Sequence, residues 1–158
     1  MVKILILYFS KSGNTKKLAR AVHDGVREVG VKCDLKPVTG FRLAGLPRYD
    51  GIILGSPTYY GQMAAEMKKF LDLSVRFHGR LAGKVGGAFT TAGGMHCGAE
   101  TALLSMLEAL MIHGMVVAGD AAYFHYGPAA VGAPNKKALQ YGRLYGRKIA
   151  RLTKKLFG

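Results

Sequence analysis

The feature that most constrains this chain is the alternation of strand patterns with helix patterns along its length. Lys3–Phe9 is an apolar run of strand length. Asn14–Val29 has helical spacing, with Leu18, Ala21, Val22, Val26 and Val29 on one face. Val31–Val38 and Asp50–Gly55 read as the second and third strands. Gln62–Leu73 reads as a helix that turns Met63, Met67, Phe70 and Leu71 inward. Lys84–Thr91 is a fourth strand, and Gly98–His113 a helix bearing Leu103, Leu104, Leu107, Leu110 and Met111. Met115–Ala118 is a fifth strand. A Gly/Pro/Ala-rich loop, Gly119–Pro134, leads into a last helix, Asn135–Leu156. Strands that are apolar on both faces and joined by helices belong in a parallel sheet covered on both sides. Right-handed crossovers leave two common doubly wound solutions. One has strand order 2-1-3-4-5 and places its ligand where strands 1 and 3 diverge.

In such sheets ligands sit beyond the carboxyl ends of the strands, and there the sequence is most unusual. Strand 1 is followed by Ser10-Lys11-Ser12-Gly13-Asn14-Thr15. Small hydroxyl residues opening a helix aim hydroxyls and free N–H groups at one point, which suits a phosphate. An ordinary capped turn would use the same residue types. The turn lacks Gly-x-Gly-x-x-Gly and Gly-Lys-Ser/Thr, which argues against a dinucleotide or nucleoside-triphosphate loop and leaves a phosphate monoester. Strand 3 is followed by Ser56-Pro57-Thr58-Tyr59-Tyr60-Gly61-Gln62-Met63, whose tyrosines offer a flat wall for a ring system. Strand 4 runs into Thr90-Thr91-Ala92-Gly93-Gly94-Met95-His96-Cys97-Gly98, whose glycines let backbone approach a ligand closely.

With 158 residues, 49% of them apolar, the chain fits one domain, 1–158, with a full core. No apolar run reaches the roughly 20 residues of a membrane span. The start of the chain is a strand pattern without the small-residue cleavage site of a signal peptide. Cys33 and Cys97 lie far apart, as reduced thiols of a cytoplasmic protein do, and no Cys/His spacing suits a metal. His96-Cys97 lacks the arginine six residues on that a cysteine phosphatase needs; Leu103 stands there. The formal charge is +14, which favours anionic ligands. The last helix carries eight Lys/Arg and no acid between Asn135 and Gly158. A basic face of this kind can bind nucleic acid, but no groove-reading motif accompanies it, and a solvated surface is the simpler reading.

The three loops together resemble those of flavodoxin-like FMN proteins, and most closely the NAD(P)H:quinone oxidoreductase branch. The resemblance rests on Pro57-Thr58-Tyr59-Tyr60-Gly61-Gln62-Met63, on Met67-Lys68-Lys69-Phe70-Leu71-Asp72, on Gly83-Lys84 and on His113-Gly114-Met115. It runs from Lys3 to about Leu156. It implies the flavodoxin-like order 2-1-3-4-5, five parallel strands with helices on both faces. It implies that Ser10, Lys11, Ser12, Gly13, Asn14 and Thr15 hold the FMN phosphate. Pro57, Thr58, Tyr59, Tyr60 and Gly61 would flank the isoalloxazine. Thr91, Ala92, Gly93, Gly94 and Gly98 would reach its pyrimidine edge, and His113 would stand beside the flavin, with Tyr59 and Tyr60 as fellow catalytic candidates. A C-terminal cap of its helix is the plainer role for His113.

The activity implied is electron transfer from NAD(P)H through FMN to a quinone-like acceptor, in a homodimer or homotetramer. The alternatives are an electron carrier serving an acidic redox protein, and a non-catalytic module that binds nucleic acid through the last helix. Three departures mark the chain. Ser12 stands where the branch carries an aromatic that seats the nicotinamide. No Trp is present, with Phe77 or His78 near the place of a tryptophan that the branch lends to a neighbouring subunit. The branch's insertion before the last helix is shortened to Gly119–Pro134.

Overall fold

A computed structural model describes residues 1–158. Its elements are β1 (Lys3–Tyr8), α1 (Asn14–Glu28), β2 (Lys32–Pro37), β3 (Gly51–Tyr59), β4 (Gln62–Met63), α2 (Ala65–Leu73), β5 (Val85–Ala92), α3 (Ala99–Ile112), β6 (Val116–Val117), β7 (Ala129–Val131) and α4 (Lys136–Phe157). Short 3-10 turns at Leu43–Arg48 and Ser74–Phe77 precede β3 and follow α2. The sheet order is β2-β1-β3-β5-β6, with β7 on the same side of β5 as β6. The main strands are all parallel, as the alternation requires.

Alternate strand residues feed two cores. Leu5, Leu7, Ile52 and Leu54 face Met67, Phe70, Leu103 and Leu107 from α2 and α3. Ile4, Ile6, Ile53 and Phe89 face Leu18, Val22, Tyr145 and Ile149 from α1 and α4. A fully buried side chain of this size contributes about 1.5–3 kcal/mol, so each strand is held from both faces. α1 and α4 also touch backbone to backbone. A Cβ on Gly146 would collide with the carbonyl of Val22, and one on Gly25 with that of Arg143.

The structure differs from the sequence pattern in four places. The fifth strand is not confined to Met115–Ala118. It breaks after β6 and resumes as β7, inside the segment read as loop, so Gly119–Pro134 contains a strand. Between the two pieces the Ala88 N–H has no strand to pair with and donates instead to the hydroxyl of Tyr145 (2.9 Å). β3 runs on to Tyr59, and Gln62–Met63 pairs back on Thr58–Tyr59 as an antiparallel strand rather than opening the helix. Met111 and Leu156, assigned to inward faces, are exposed: Met111 turns outward between buried Leu110 and His113, and Leu156 lies in the last turn of α4. No helix is long and apolar enough to cross a membrane.

Candidate functional site

The carboxyl ends of β1, β3 and β5 bring the three loops to one edge of the sheet. After β1 the chain turns through Gly13 at φ 95°, a left-handed value that favours glycine. The Ser10 hydroxyl accepts the N–H groups of Gly13 (3.1 Å) and Lys16 (3.2 Å) and so closes the turn on itself. The N–H groups of Lys11, Ser12, Asn14 and Thr15 have no protein acceptor. They lie at the positive end of α1, whose first turn carries no acid.

A chain of hydroxyls ties this turn to the other two strands. Buried Thr15 bonds Thr91 Oγ1 at 2.8 Å, across from α1 to the end of β5. Thr90 Oγ1 donates to the Ser56 carbonyl (2.7 Å), so its proton is spent and Thr58 Oγ1 donates to it (2.9 Å). Ser56 Oγ accepts from Ala64 N (2.8 Å), holding the two ends of the β3–β4 hairpin together beside buried Pro57.

Tyr60 and Gly61 form the tip of that hairpin with φ 49° and 72°, a two-residue turn of the I′ kind, where Asn-Gly is usual. Tyr60 is fully exposed and Tyr59 is 41% exposed. A left-handed tyrosine costs roughly 1 kcal/mol. The one other non-glycine residue with positive φ is His96 (56°), in the loop after β5. Backbone strain of this kind collects at functional sites, and both cases fall on this edge. Ala92 closes β5. Beyond it the N–H groups of Gly93 to Gly98 have no protein acceptor, and a Cβ on Gly93 would meet nothing. Gly98 packs so tightly on Gly61 that a side chain there would strike it, which locks this loop to the tyrosine hairpin.

His113 does not join these loops within the chain. α3 runs antiparallel to β5, so its last turn lies at the starting edge of the sheet, where Gly83 N donates to Gly114 O. There His113 is buried. Ser74 Oγ donates to the Leu71 carbonyl (2.6 Å), so His113 Nε2–H donates to Ser74 Oγ (2.7 Å). His113 Nδ1 is buried without a partner. Burial, and to a lesser degree the nearby His78, holds the His113 pKa below the usual histidine value. A groove of about 410 Å³ between α2 and α3 is lined by Met63, Leu71, Val75, His78 and His113.

Residues 43–129 match the family model described as NADPH-dependent FMN reductase. The chain belongs to the NADPH-dependent FMN reductase family. It is 37% identical to an NAD(P)H dehydrogenase (quinone) of Archaeoglobus fulgidus, over 99% of this chain and 100% of the relative. It is 35% identical to a flavodoxin of Clostridium saccharobutylicum, again over 99% and 100% of the two chains. Among solved structures, the WrbA-like flavodoxin of Agrobacterium tumefaciens superposes with a TM-score of 0.85 at 25% identity, covering 99% of each chain.

For a member of the FMN reductase family, the edge described above fits the cofactor on two counts. Unspent amides, the hydroxyls of Ser12 and Thr15 and the side-chain NH2 of Asn14 suit a phosphate dianion. Exposed Tyr59 and Tyr60 facing a glycine-rich loop with open N–H groups suit a ring with one apolar face and one polar edge. Which residues sit at strained φ, and which amides go unpaired, could not have been read from residue types alone.

Proposed function

We propose that the chain is an FMN-dependent oxidoreductase that takes reducing equivalents from NAD(P)H and passes them to a quinone-like acceptor. One observation carries this reading: the chain's two left-handed non-glycine residues and two runs of unpaired amides meet at one sheet edge. FMN, when bound there, supplies reversible hydride and electron transfer.

The chain's own residues then have distinct tasks. The N–H groups of Lys11, Ser12, Asn14 and Thr15, with the Ser12 and Asn14 side chains, hold the phosphate, while Ser10 and Gly13 keep the turn in shape. Tyr59 and Tyr60 cover the ring and set what reaches it; Pro57, Thr58 and Gly61 hold them in place. The N–H groups of the loop from Gly93 to Gly98, anchored by Thr91 and Ala92, stabilise negative charge at the ring's polar edge. His113 has no part in this within one chain.

The same likenesses support a second reading, a flavodoxin-type carrier that serves an acidic protein. A fully exposed Tyr60 would then be the contact for the partner. We place the protein in the cytoplasm as a single domain, 1–158, in keeping with its free Cys33 and Cys97. A homodimer or homotetramer is the assembly this reading expects. The deciding experiment is anaerobic mixing of the FMN-loaded protein with NADPH, then NADH, following the oxidised-flavin absorbance. Rapid bleaching is expected. No bleaching, in a sample that dithionite still reduces, overturns the reductase in favour of the carrier.

A further inference from the structure

Away from the loops just described, three concavities meet around Tyr141. The first, about 520 Å³, is lined by Tyr123, Lys136, Lys137, Gln140, Tyr141 and Leu144. The second, about 230 Å³, adds β7 and Asn135, and the third, about 240 Å³, lies between Tyr123 and the start of α3. Tyr123 stacks on Tyr141 with ring centroids 5.6 Å apart at 28°, yet 62% of Tyr123 remains exposed. The Lys137 ammonium lies 5.7 Å from the Tyr141 ring centroid. An open aromatic face beside two lysines is matched to a ligand with a flat ring and a phosphate.

The groove is pre-formed. The Asp120 carboxylate accepts the N–H groups of Ala122 (2.9 Å) and Tyr123 (2.8 Å) and pairs with Lys148 at 2.8 Å. The Lys148 hydrogen bond, then the Tyr123 amide, hold the Asp120 carboxyl down at about 2, so this brace is intact across the physiological range. Phe124 packs edge-on against buried Tyr145 at 5.4 Å and anchors the loop from beneath. Asn135 caps α4 by accepting from Ala138 N (2.9 Å). The first turn of α4 carries no acid, and Lys136 and Lys137 stand there against the helix dipole, an arrangement that an anion relieves. No carboxylate lines the cavity that holds the lysines. Glu100 lines the neighbouring one, where it can accept hydrogen bonds from ribose hydroxyls.

We propose that this groove binds the adenosine 2′,5′-bisphosphate end of NADPH, its base on Tyr123 and its 2′-phosphate at Lys136 and Lys137. β7 pairs with Thr90–Ala92, which puts the groove beside the strand that leads into the glycine loop. The identity of the source molecule rests on the reductase reading above; the groove's fit to an adenosine bisphosphate does not.

The test is calorimetric titration of the FMN-loaded protein at low salt with adenosine 2′,5′-bisphosphate, adenosine 3′,5′-bisphosphate and adenosine 5′-monophosphate. The 2′,5′-bisphosphate is expected to bind about tenfold tighter than the monophosphate, through its second charge. Tyr123→Ala should weaken it about tenfold, as loss of one stacked base contact does. Lys137→Gln and Lys136→Gln, both on the surface, should each weaken it roughly fivefold. Lys155→Gln, at the other end of α4, should leave it unchanged. Equal losses from Lys155→Gln, or none from Tyr123→Ala and Lys137→Gln, overturn the site. Tighter binding of the 3′,5′-bisphosphate overturns NADPH as its source. Flavin bleaching by NADPH with no bisphosphate binding removes the groove and leaves the reductase. Bisphosphate binding without bleaching does the reverse.

Discussion

The two ends of the sheet treat polar groups in opposite ways. At the carboxyl edge, the amides of Lys11, Ser12, Asn14 and Thr15 and those from Gly93 to Gly98 are left unpaired, and two residues accept strained backbone to hold their loops. At the starting edge the polar groups are tied off, His113 Nδ1 excepted. Lys84 Nζ donates to the carbonyls of Pro47 and Tyr49, Tyr49 donates to Asp34 (2.7 Å), and His113 is bound to Ser74. One end spends its hydrogen bonds on the fold and the other leaves them open, as the proposed FMN site requires. A substitution should therefore move ligand affinity at one end and stability at the other.

The largest effect is expected from Ser12→Ala with Asn14→Ala. Losing two hydrogen bonds to a charged phosphate costs about 3 kcal/mol or more, so FMN affinity should fall about a hundredfold. Denaturant unfolding of the FMN-free protein should shift by less than about 0.5 kcal/mol, as exposed sites do. A large loss of stability without loss of FMN would erase the contrast between the two ends.

His113→Ala probes the other end. It removes a buried ring and the hydrogen bond that Ser74 Oγ accepts, and should lower stability by about 2–3 kcal/mol with FMN affinity unchanged. The pH dependence gives a second readout. The folded His113 pKa is depressed, by burial first and then by His78. The unfolded chain therefore takes up this proton first. Its contribution is full above about 6.5, the ordinary histidine value, and is lost as pH falls from there through the folded pKa. His113→Ala should flatten that part of the unfolding profile. A drop in FMN affinity instead would place His113 in the site, contributed by a second chain.

The smallest effect sharpens the comparison most. Tyr60→Asn creates the favoured Asn-Gly turn and should stabilise the FMN-free protein by about 0.5–1 kcal/mol. It should also weaken FMN binding about fivefold through loss of an aromatic face. Opposite signs in melting and in FMN titration would identify the strain at Tyr60 as held for the ligand.

The alternation of strands and helices and the three loops were legible because both rest on short-range chemistry: apolar runs of strand length, helical spacing, and small polar residues where a helix begins; the order 2-1-3-4-5 came from the family resemblance. Asn135 was readable as the start of α4 for the same reason. That His113 lies away from the three loops of its own chain was not legible, because a motif carries no direction. His-Gly-Met follows a helix rather than a strand, which puts it at the opposite edge from every strand-to-helix loop. The Ala129–Val131 strand was hidden by composition, since alanines flanked by glycine and proline have no strand pattern of their own. It forms because β5 offers Thr90–Ala92 as a partner. The glycine seam between α1 and α4 was equally silent, because Gly25, Gly142 and Gly146 show no apolar stripe until the helices are docked.

The break between β6 and β7 has a consequence for how this molecule lives among its copies. A parallel sheet ends in two open rows of peptide groups, which are templates for another chain's strand. Here one border is cut into pieces of two and three residues, with the gap closed from inside by the Tyr145 hydroxyl. The other border, β2, shows exposed Lys32, Lys36 and donor-less Pro37. The first border is too short and broken to recruit a stray strand, and the second is blunted by lysines and a proline, so both edges discourage pairing with another copy's sheet.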